Sequence, residues 1–459
     1  MINKNMRDMT VGSPTKHILM FAWPMLLGNL FQQLYNMVDS IVVGKFVGKD
    51  ALAAVGTCSS TSFLFFSLSA SLAMGIGIIV SQYYGAKDEE RVKATIGNAL
   101  YVLVSASLIV SILGFIFAPG LLTLLQTPEN IMGDAVIYLR TTCTGIIAIA
   151  LYNGVAAILR ALGDSKTPLI FLLIASIINV VLDLVFVLVF HWGVFGVAFA
   201  TIISQFSCAL AALIYAYKKM PYFHLTKQQL KPDKGIIFKS YKLGVPVAFQ
   251  NSMIAISCMV LQGVVNTFGE TVMAVYTITG RIDQIVSQPY GCISMALTTY
   301  AGQNIGAKKI ERVKQGYRQS MLIVFLFNLV MIPIIYFGGT HIVKIFIDDP
   351  TVIKMGADAL KITSICYLGL GMIYVPRAVL NGCGDTGFSM ITGATEVLCR
   401  VIYSQIFTRI PFLGYWGIWV TNGFTWFTSA LVCIVRYMTG IWKTKALTDE
   451  KNPNESKIS

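Results

Sequence analysis

The sequence predicts an all-α, polytopic membrane protein in which twelve transmembrane helices form two six-helix lobes related by internal duplication. The 459-residue chain is 55% hydrophobic and only 12% charged, with a mean hydropathy of +0.69, which excludes an ordinary soluble domain. About 20 apolar residues span a bilayer as a helix, and runs of this kind recur along the whole chain. Because an open sheet cannot cross lipid and alternating strand patterns are absent, the spanning elements must be helical.

The predicted spans follow one another with short connections, so consecutive helices are expected to be antiparallel neighbours. Several spans are longer than a bilayer requires, which predicts tilting, kinks or extension beyond the lipid. In chain order the spans are 18–43, 51–80, 95–118, 132–158, 168–190, 194–217, 243–266, 272–302, 319–338, 352–380, 389–409 and 416–440.

The second half of the chain repeats the first half in the same direction. Residues 82–93 and 303–314 share Gln-x-x-Gly-Ala-Lys followed by Glu-Arg-Val-Lys. The same offset of 221 residues pairs Gly163 with Gly384. In a chain this apolar, parallel repeats are typical of a two-lobed carrier. The predicted parts are an N-terminal lobe at 1–217, a cytoplasmic linker at 218–242, a C-terminal lobe at 243–442 and a cytoplasmic tail at 443–459.

The formal net charge of +13 reflects membrane topology and does not indicate a nucleic-acid partner. With the N-terminus placed in the cytoplasm, the loops on the opposite side hold only four of the 35 lysines and arginines, namely Lys45, Lys49, Lys344 and Arg409. This bias follows the positive-inside rule, and an even number of spans places both termini in the cytoplasm. No basic stretch is interleaved with aromatic residues, so no nucleic acid is expected to bind. We expect a monomer in the lipid bilayer of a bacterial plasma membrane.

Neither enzymatic activity nor a cofactor is expected. The nine cysteines lack the spacing of disulfide or zinc sites. No Gly-x-x-x-x-Gly-Lys-Ser/Thr phosphate-binding loop occurs, so the chain is not expected to hydrolyse ATP. Transport would therefore be driven by an ion gradient, a membrane potential or the substrate's own gradient.

Two carboxylates inside the predicted spans have no cationic side chain facing them on their own helix. A charge within lipid costs about 2.5–3.5 kcal/mol, so Asp39 in the first span and Asp183 in the fifth require an explanation. At 1.5 Å per residue, both lie in the outer half of the first lobe, and Asn179 and Thr201 reach a similar depth. Hard oxygen ligands of this kind suit a sodium ion or a shared proton. These four side chains are the predicted coupling-cation site, holding Na⁺ if the protein is sodium-coupled.

The duplication provides an internal control, because the second lobe lacks these acids. In order, Asp39, Asn179, Asp183 and Thr201 align with Val260 or Leu261, Arg400, Ser404 and Asn422. The scaffold is repeated while the carboxylates are not, which indicates a specialised first lobe. The alternative is that Asp39 is a shallow interfacial residue and that Asp183 caps a neighbouring backbone.

Other polar side chains within the spans are candidates for lining a substrate cavity, and the alternative is that they pack between helices. They are Gln32, Tyr35, Asn36, Asn153, Arg281, Asp283, Gln284 and Gln288. Glu396 is expected to pair with Arg400, one helical turn away. Pro24 and its repeat Pro246 are predicted hinges, since proline removes a backbone hydrogen bond from a helix.

Trp23-Pro24 opens the first helix, and Leu-Arg-Ala-Leu-Gly-Asp-Ser-Lys-Thr-Pro occupies 159–168. With the two Gln-x-x-Gly-Ala-Lys segments, these motifs make the chain resemble the multidrug and toxic compound extrusion (MATE) family over nearly its whole length. Within that family, the four predicted site residues resemble the first-lobe cation site of the DinF-like and MepA-like branches. Residues 365–375 contain no acid, which departs from the NorM-like branch.

The resemblance implies a secondary active transporter that exports amphipathic, often cationic small molecules in exchange for Na⁺ or H⁺ by alternating access. A flippase for lipid-linked oligosaccharide or another anionic amphiphile is the alternative. Arg281, Arg377 and Arg400 would suit a diphosphate headgroup, whereas such flippases usually carry two more helices. A channel fits poorly, because no filter motif is visible.

Overall fold

The computed structural model describes residues 6–447, and the predicted all-α class is confirmed. Short connections join successive helices, as the sequence predicts. The helices are α1 (Pro14–Val42), α2 (Lys49–Gly85), α3 (Glu89–Leu124), α4 (Glu129–Thr144), α5 (Ile146–Ala161), α6 (Lys166–Leu184), α7 (Gly193–Lys219), α8 (Lys234–Asn266), α9 (Glu270–Gly306), α10 (Ile310–Lys344), α11 (Pro350–Gly382), α12 (Gly387–Phe407) and α13 (Gly417–Thr439).

The twelve predicted spans correspond to thirteen helices, because the fourth span is broken. Helices α4 and α5 meet at Gly145 with a bend of 44°. A Cβ on Gly145 would lie 2.5 Å from Cγ1 of Ile202 on α7, so the close packing of α7 requires glycine at the bend. By length and apolar composition alone, eight of the described helices can cross a membrane, or nine if the bent pair is one span. Helices α1, α9 and α12, which carry polar side chains, fall outside that count.

The chain forms two compact units. One comprises residues 6–8 and Trp23–Ala248, and in it α2 packs against α3, α4 and α5. The other comprises Met9–Ala22 and residues 249–447, and in it α11 packs against α9, α10 and α13. Each unit thus has a central helix that packs against three others.

These units differ from the predicted lobes at both ends of the first repeat. The predicted linker 218–242 belongs to the first unit, while residues 9–22 belong to the second. The linker is held by α3, where Asn98 Nδ2 donates to the main-chain oxygen of Lys231 and Asn98 Oδ1 accepts from the main-chain N–H of Asp233 at 2.7 Å. Hydrogen bonds from one side chain of α3 therefore hold this part of the predicted linker. The end of the predicted tail, from residue 448, lies outside the described residues.

Within the first unit, α2 and α8 approach each other through a pair of glycines. A Cβ on Gly75 would lie 2.7 Å from the main-chain nitrogen of Gly244 and 2.9 Å from the main-chain oxygen of Ser240. Real Cβ atoms do not come this close to backbone atoms, so the two helices can pack here only without side chains. Small residues at such crossings are the usual means of close helix packing in membranes.

Replacing Gly75 with alanine is therefore expected to destabilise the protein by about 1–3 kcal/mol, because overpacking forces the backbone to move. Gly56 lies on the same helix and has no neighbouring heavy atom within 4 Å of a built Cβ. Gly56→Ala is thus the matched control and is expected to be neutral or slightly stabilising. Thermal unfolding in detergent measures both variants, and equal melting temperatures would contradict the close approach.

Candidate cation site

The two predicted acids occupy equivalent positions near the ends of their helices. Asp39 lies in the last turn of α1, which continues directly into a π-helical turn at Val43–Val47. Asp183 lies in the last turn of α6, which continues into a second π-helical turn at Val185–Val189. Single π-helical turns are rare and occur often at functional sites. Their presence beside both acids marks this end of the first unit as specialised.

The carboxyl groups of Asp39 and Asp183 lie within hydrogen-bonding reach of each other. Asp183 is fully buried, at 0% exposure, and Asp39 is half-buried. Among residues 6–447, the buried Oδ1 of Asp39 has no hydrogen-bond partner. Two buried carboxylates this close repel each other unless a proton or a cation lies between them.

A hydrogen-bonded group from three helices surrounds this pair. Asn179, one turn before Asp183 on α6, donates from Nδ2 to Oγ1 of Thr201 on α7 at 3.3 Å. Tyr35, one turn before Asp39 on α1, forms a side-chain hydrogen bond with Thr201. The structure thus brings the four predicted site residues together, and it adds Tyr35, which was predicted to line a substrate cavity. That these residues couple transport to a cation remains a prediction.

Tyr138 on α4 belongs to the same group and was not predicted from the sequence. Its hydroxyl interacts electrostatically with Asp39 and with Asp183, and it forms a hydrogen bond with the side chain of Thr142. Tyr138 and Thr142 lie four residues apart and therefore share one face of α4. This pair of polar side chains within an apolar span was the sequence signal from which the role of Tyr138 in the cluster could have been predicted.

An apolar layer borders the acidic pair where the two π-helical turns begin. Its buried members are Val42, Val43, Ala51, Val187, Val194 and Val197. Tyr138 and Leu184 pack against this layer, so it is continuous with the polar cluster. An apolar border excludes water and strengthens the electrostatic interactions of the carboxylates.

The oxygen atoms of the cluster fit a small hard cation. They come from two carboxylates, one amide and the hydroxyl groups of threonine and tyrosine, which are ligand types that Na⁺ shares with other hard ions. Within the described residues no group of three or more His, Cys, Asp and Glu side chains that could hold a metal ion is found. The oxygen atom of Asp39 without a partner is the position at which a cation or proton would complete the site.

The remaining cavity candidates do not join this cluster. Gln32 and Asn36 on α1 are exposed, and Asn153 on α5 is half-buried. In the second unit Arg281 and Gln284 are exposed, while Gln288 and Asp283 are half-buried. The hydroxyl of Tyr367 on α11 donates to Oδ1 of Asp283 at 2.5 Å, which supplies a partner that the sequence did not predict.

The expected pairing of Glu396 with Arg400 is wrong, because a tertiary partner takes its place. Glu396 Oε1 accepts from NH2 of Arg377 on α11 at 2.6 Å, and both side chains are buried. Arg400 instead donates from NH1 to Ser257 Oγ at 3.0 Å and to Cys258 Sγ at 3.1 Å, both on α8. These three charged side chains thus link α8, α11 and α12.

The predicted hinges lie inside continuous helices. Pro24 lies within α1 and Pro246 within α8, and neither helix is interrupted at its proline. Both prolines lie within two residues of the points at which the chain passes from one unit to the other, after Ala22 and after Ala248. Their hinge function remains a prediction.

Comparisons with known proteins agree on one family. The family model described as MatE matches this chain twice, at residues 24–185 and 246–406, so the two matches begin at the aligned prolines. "Probable multidrug resistance protein YpnP" of Bacillus subtilis (strain 168) is 31% identical over 453 residues, covering 97% of this chain and 99% of that relative. "Probable multidrug resistance protein YoeA" of the same organism is 28% identical over 441 residues, covering 94% of each chain.

A solved structure shows the same fold. The "outward-facing conformation of a multidrug resistance MATE family transporter of the MOP superfamily" superposes with a TM-score of 0.89. That match covers 98% of this chain and 100% of the other, at 22% sequence identity. At this identity the likeness establishes the fold alone.

Proposed function

We propose, from the premise that this chain belongs to the MatE family of membrane transporters, that it exports amphipathic cationic small molecules in exchange for Na⁺ or H⁺. The observation that carries this proposal is the buried Asp39–Asp183 pair, to which α1 and α6 each contribute one carboxyl group. A family of multidrug transporters supplies the substrate class, and the acidic pair supplies a place for the coupling ion.

The cycle follows from the charge of the pair. A Na⁺ ion or a proton neutralises the repulsion between Asp39 and Asp183 and draws the end of α1 towards α6. We propose that this rearrangement of α1 weakens the binding of the exported molecule on the outer side, and that release of the cation on the inner side restores it. One charge moving through 100 mV supplies about 2.3 kcal/mol, so one or two ions sustain a useful substrate gradient. We further propose that both termini lie in the cytoplasm and that the protein functions as a monomer.

The flippase alternative gains no support from the arginines that suggested it. Arg377 is paired with Glu396, and Arg400 is buried and donates to side chains of α8. Only Arg281 of the three is exposed. Of the three arginines that suggested a flippase, the structure therefore leaves one exposed, where a diphosphate headgroup would call for several.

Purified protein in lipid vesicles tests the proposal. Sodium and proton gradients are imposed separately, and movement of a cationic, a neutral and an anionic amphiphilic dye is followed by fluorescence. We expect one of the two gradients to drive the cationic dye against its own gradient. Equal dye movement with and without either gradient would contradict coupled export, and preferential movement of the anionic dye would favour the flippase.

A further inference from the structure

The second copy of the repeated motif holds the segment of chain that leads into α1. We call residues 9–12 the leader. The main-chain N–H of Met9 donates to Oε1 of Gln303 at 2.9 Å, and Nδ2 of Asn304 donates to the main-chain oxygen of Met9 at 3.2 Å. Lys309 Nζ donates to the main-chain oxygen of Thr10 at 2.9 Å.

Arg312 completes the set. Its NH2 donates to the main-chain oxygens of Met9 and Gly12, each at 3.0 Å, and its Nε donates to Oδ1 of Asn304 at 3.0 Å. The side chain of Met9 is fully buried, as are those of Gln303 and Asn304. Charge-assisted hydrogen bonds to buried carbonyls are among the stronger polar contacts, so the leader is held firmly within the second unit.

We call these hydrogen bonds from Gln303, Asn304, Lys309 and Arg312 the clamp. The first copy of the motif shows that the clamp is not a general property of the repeat. Arg91 aligns with Arg312, but its Nε pairs with Oδ2 of Asp88 at 3.4 Å. Lys309 occupies the position of Asp88 in the second copy, where a positive side chain cannot pair with arginine. The exchange of an acid for a lysine therefore releases Arg312 to bind the leader and adds a second cation that does the same.

The position of the leader connects this clamp to the acidic pair. The leader runs directly into α1, whose first part, to Ala22, belongs to the second unit, while α1 from Trp23 onward belongs to the first. Asp39 lies on that second part. Pro24, just past the change of unit, lacks an N–H group and so weakens the helix between the clamped end and the end that carries the acid.

The chain that leads into α8 is held in a corresponding way, with different residues. Asn98 on α3 binds the main chain at Lys231 and Asp233 in the first unit, whereas α8 from Phe249 onward belongs to the second unit. The chain passes from one unit to the other along α1 and again along α8. Each of these helices thus follows a main-chain segment that is hydrogen-bonded to the unit in which the helix begins.

We propose that the leader is the anchor through which a cation bound at Asp39 and Asp183 acts on the second unit, and that Arg312 and Lys309 are positioning residues for coupled transport. The proposal rests on the proposed function, since it assigns the route by which movement of α1 reaches the second unit. Breaking the clamp leaves the cation site intact but lets the start of α1 move without the second unit. Cation binding is then retained while export is lost.

Two substitutions release the leader by different means, and a third weakens its attachment only in part. Arg312→Ala removes three hydrogen bonds, Lys309→Asp gives Arg312 the carboxylate partner that Arg91 has, and Lys309→Gln weakens only the bond to Thr10. Arg91→Ala in the first copy is the matched control. Amide hydrogen exchange of residues 9–13, the cation-dependent rise in melting temperature, and gradient-driven dye export are measured on the same full-length preparations.

We expect hydrogen exchange in the leader to rise about tenfold and export to fall about tenfold in Arg312→Ala and Lys309→Asp. Lys309→Gln should lie between these variants and the wild type in both measurements, and Arg91→Ala should match the wild type in the exchange of the leader. The cation-dependent rise in melting temperature should be preserved in all four.

Faster exchange with unchanged export would overturn the proposal, because the clamp would then be structural only. Loss of the cation-dependent melting shift together with export would also overturn it, because the damage would have reached the acidic pair itself. Absence of that shift in the wild type would instead count against the proposed function. If Arg312→Ala does not fold, the Lys309→Gln comparison with the wild type decides the matter.

Discussion

Asp183→Asn is expected to reduce gradient-driven export by about tenfold or more while the protein still folds. Asparagine has nearly the same shape as aspartate but cannot carry the charge that attracts a cation, and contacts of charged groups contribute about 1.5–3 kcal/mol. Asp183 is fully buried, so removing its charge also removes a desolvation penalty, and the melting temperature without added cation should be equal or higher. Dye export in vesicles and thermal unfolding measure the two effects.

A ligand-linked measurement makes this prediction specific to the cation. A cation that binds only the folded protein stabilises it by about 2.7 kcal/mol at one hundred times its dissociation constant. Wild-type protein should therefore melt at a higher temperature when the coupling cation is added, and Asp183→Asn should not. Asp134→Asn removes an exposed carboxylate from the same unit and should retain both export and the cation-dependent shift. Unchanged export with unchanged ion dependence in Asp183→Asn would remove Asp183 from the mechanism.

The double variant tests whether the two acids act as one site. Because the carboxyl groups of Asp39 and Asp183 lie within hydrogen-bonding reach, their substitutions should not be additive. Asp39→Asn alone should already abolish the cation-dependent shift, and the double variant should export no less than the weaker single variant. Two independent, multiplying losses would indicate separate sites.

Much of this cluster could be predicted from the sequence because charge is so costly in lipid. A carboxylate in an apolar span is a strong signal by itself, and counting residues from the span ends placed Asp39, Asn179, Asp183 and Thr201 at similar depths. The structure brings these side chains together across α1, α6 and α7.

The position of Tyr138 could not be predicted by counting residues from the span ends, for a physical reason. It lies on α4, the first half of a span that bends by 44° at Gly145, so its depth does not follow from a constant rise per residue. At the bend Gly145 packs closely against Ile202, a tertiary contact that the sequence does not display. The contacts of the leader could not be predicted for the same kind of reason, since its partners Gln303 and Arg312 lie 294 and 303 residues from Met9.

At Glu396 a tertiary contact replaces the ion pair that helical spacing predicts. Its neighbour Arg400 lies one turn away, which is the spacing of an ordinary helical ion pair. In the structure the Glu396 carboxylate pairs with Arg377 on α11 at 2.6 Å, and Arg400 donates a hydrogen bond to Ser257 on α8. Glu396 therefore lies between two guanidinium groups, one bonded directly and one interacting over a longer distance.

Breaking the Arg377–Glu396 pair is expected to have the largest effect on stability of any single change considered. The side chains are 10% and 6% exposed, and removing one partner of a buried ion pair costs about 3–5 kcal/mol because the other charge is left uncompensated. Glu396→Gln should be worse than Arg377→Met, since it leaves two guanidinium groups without their shared carboxylate. After Arg377→Met, Arg400 can still offset part of the remaining negative charge.

The rank order of four variants distinguishes a buried charge effect from lost packing. The double variant Arg377→Met/Glu396→Leu removes both partners and should be more stable than Glu396→Gln, because apolar side chains of similar volume replace a buried pair at little cost. Lys361→Met breaks the exposed pair with Asp358 on the same helix, where both side chains are over 40% exposed, and should cost at most about 1 kcal/mol. Melting temperatures in detergent give the order directly. A double variant less stable than either single variant would mean that packing around α11 and α12, and not the uncompensated charge, governs this part of the second unit.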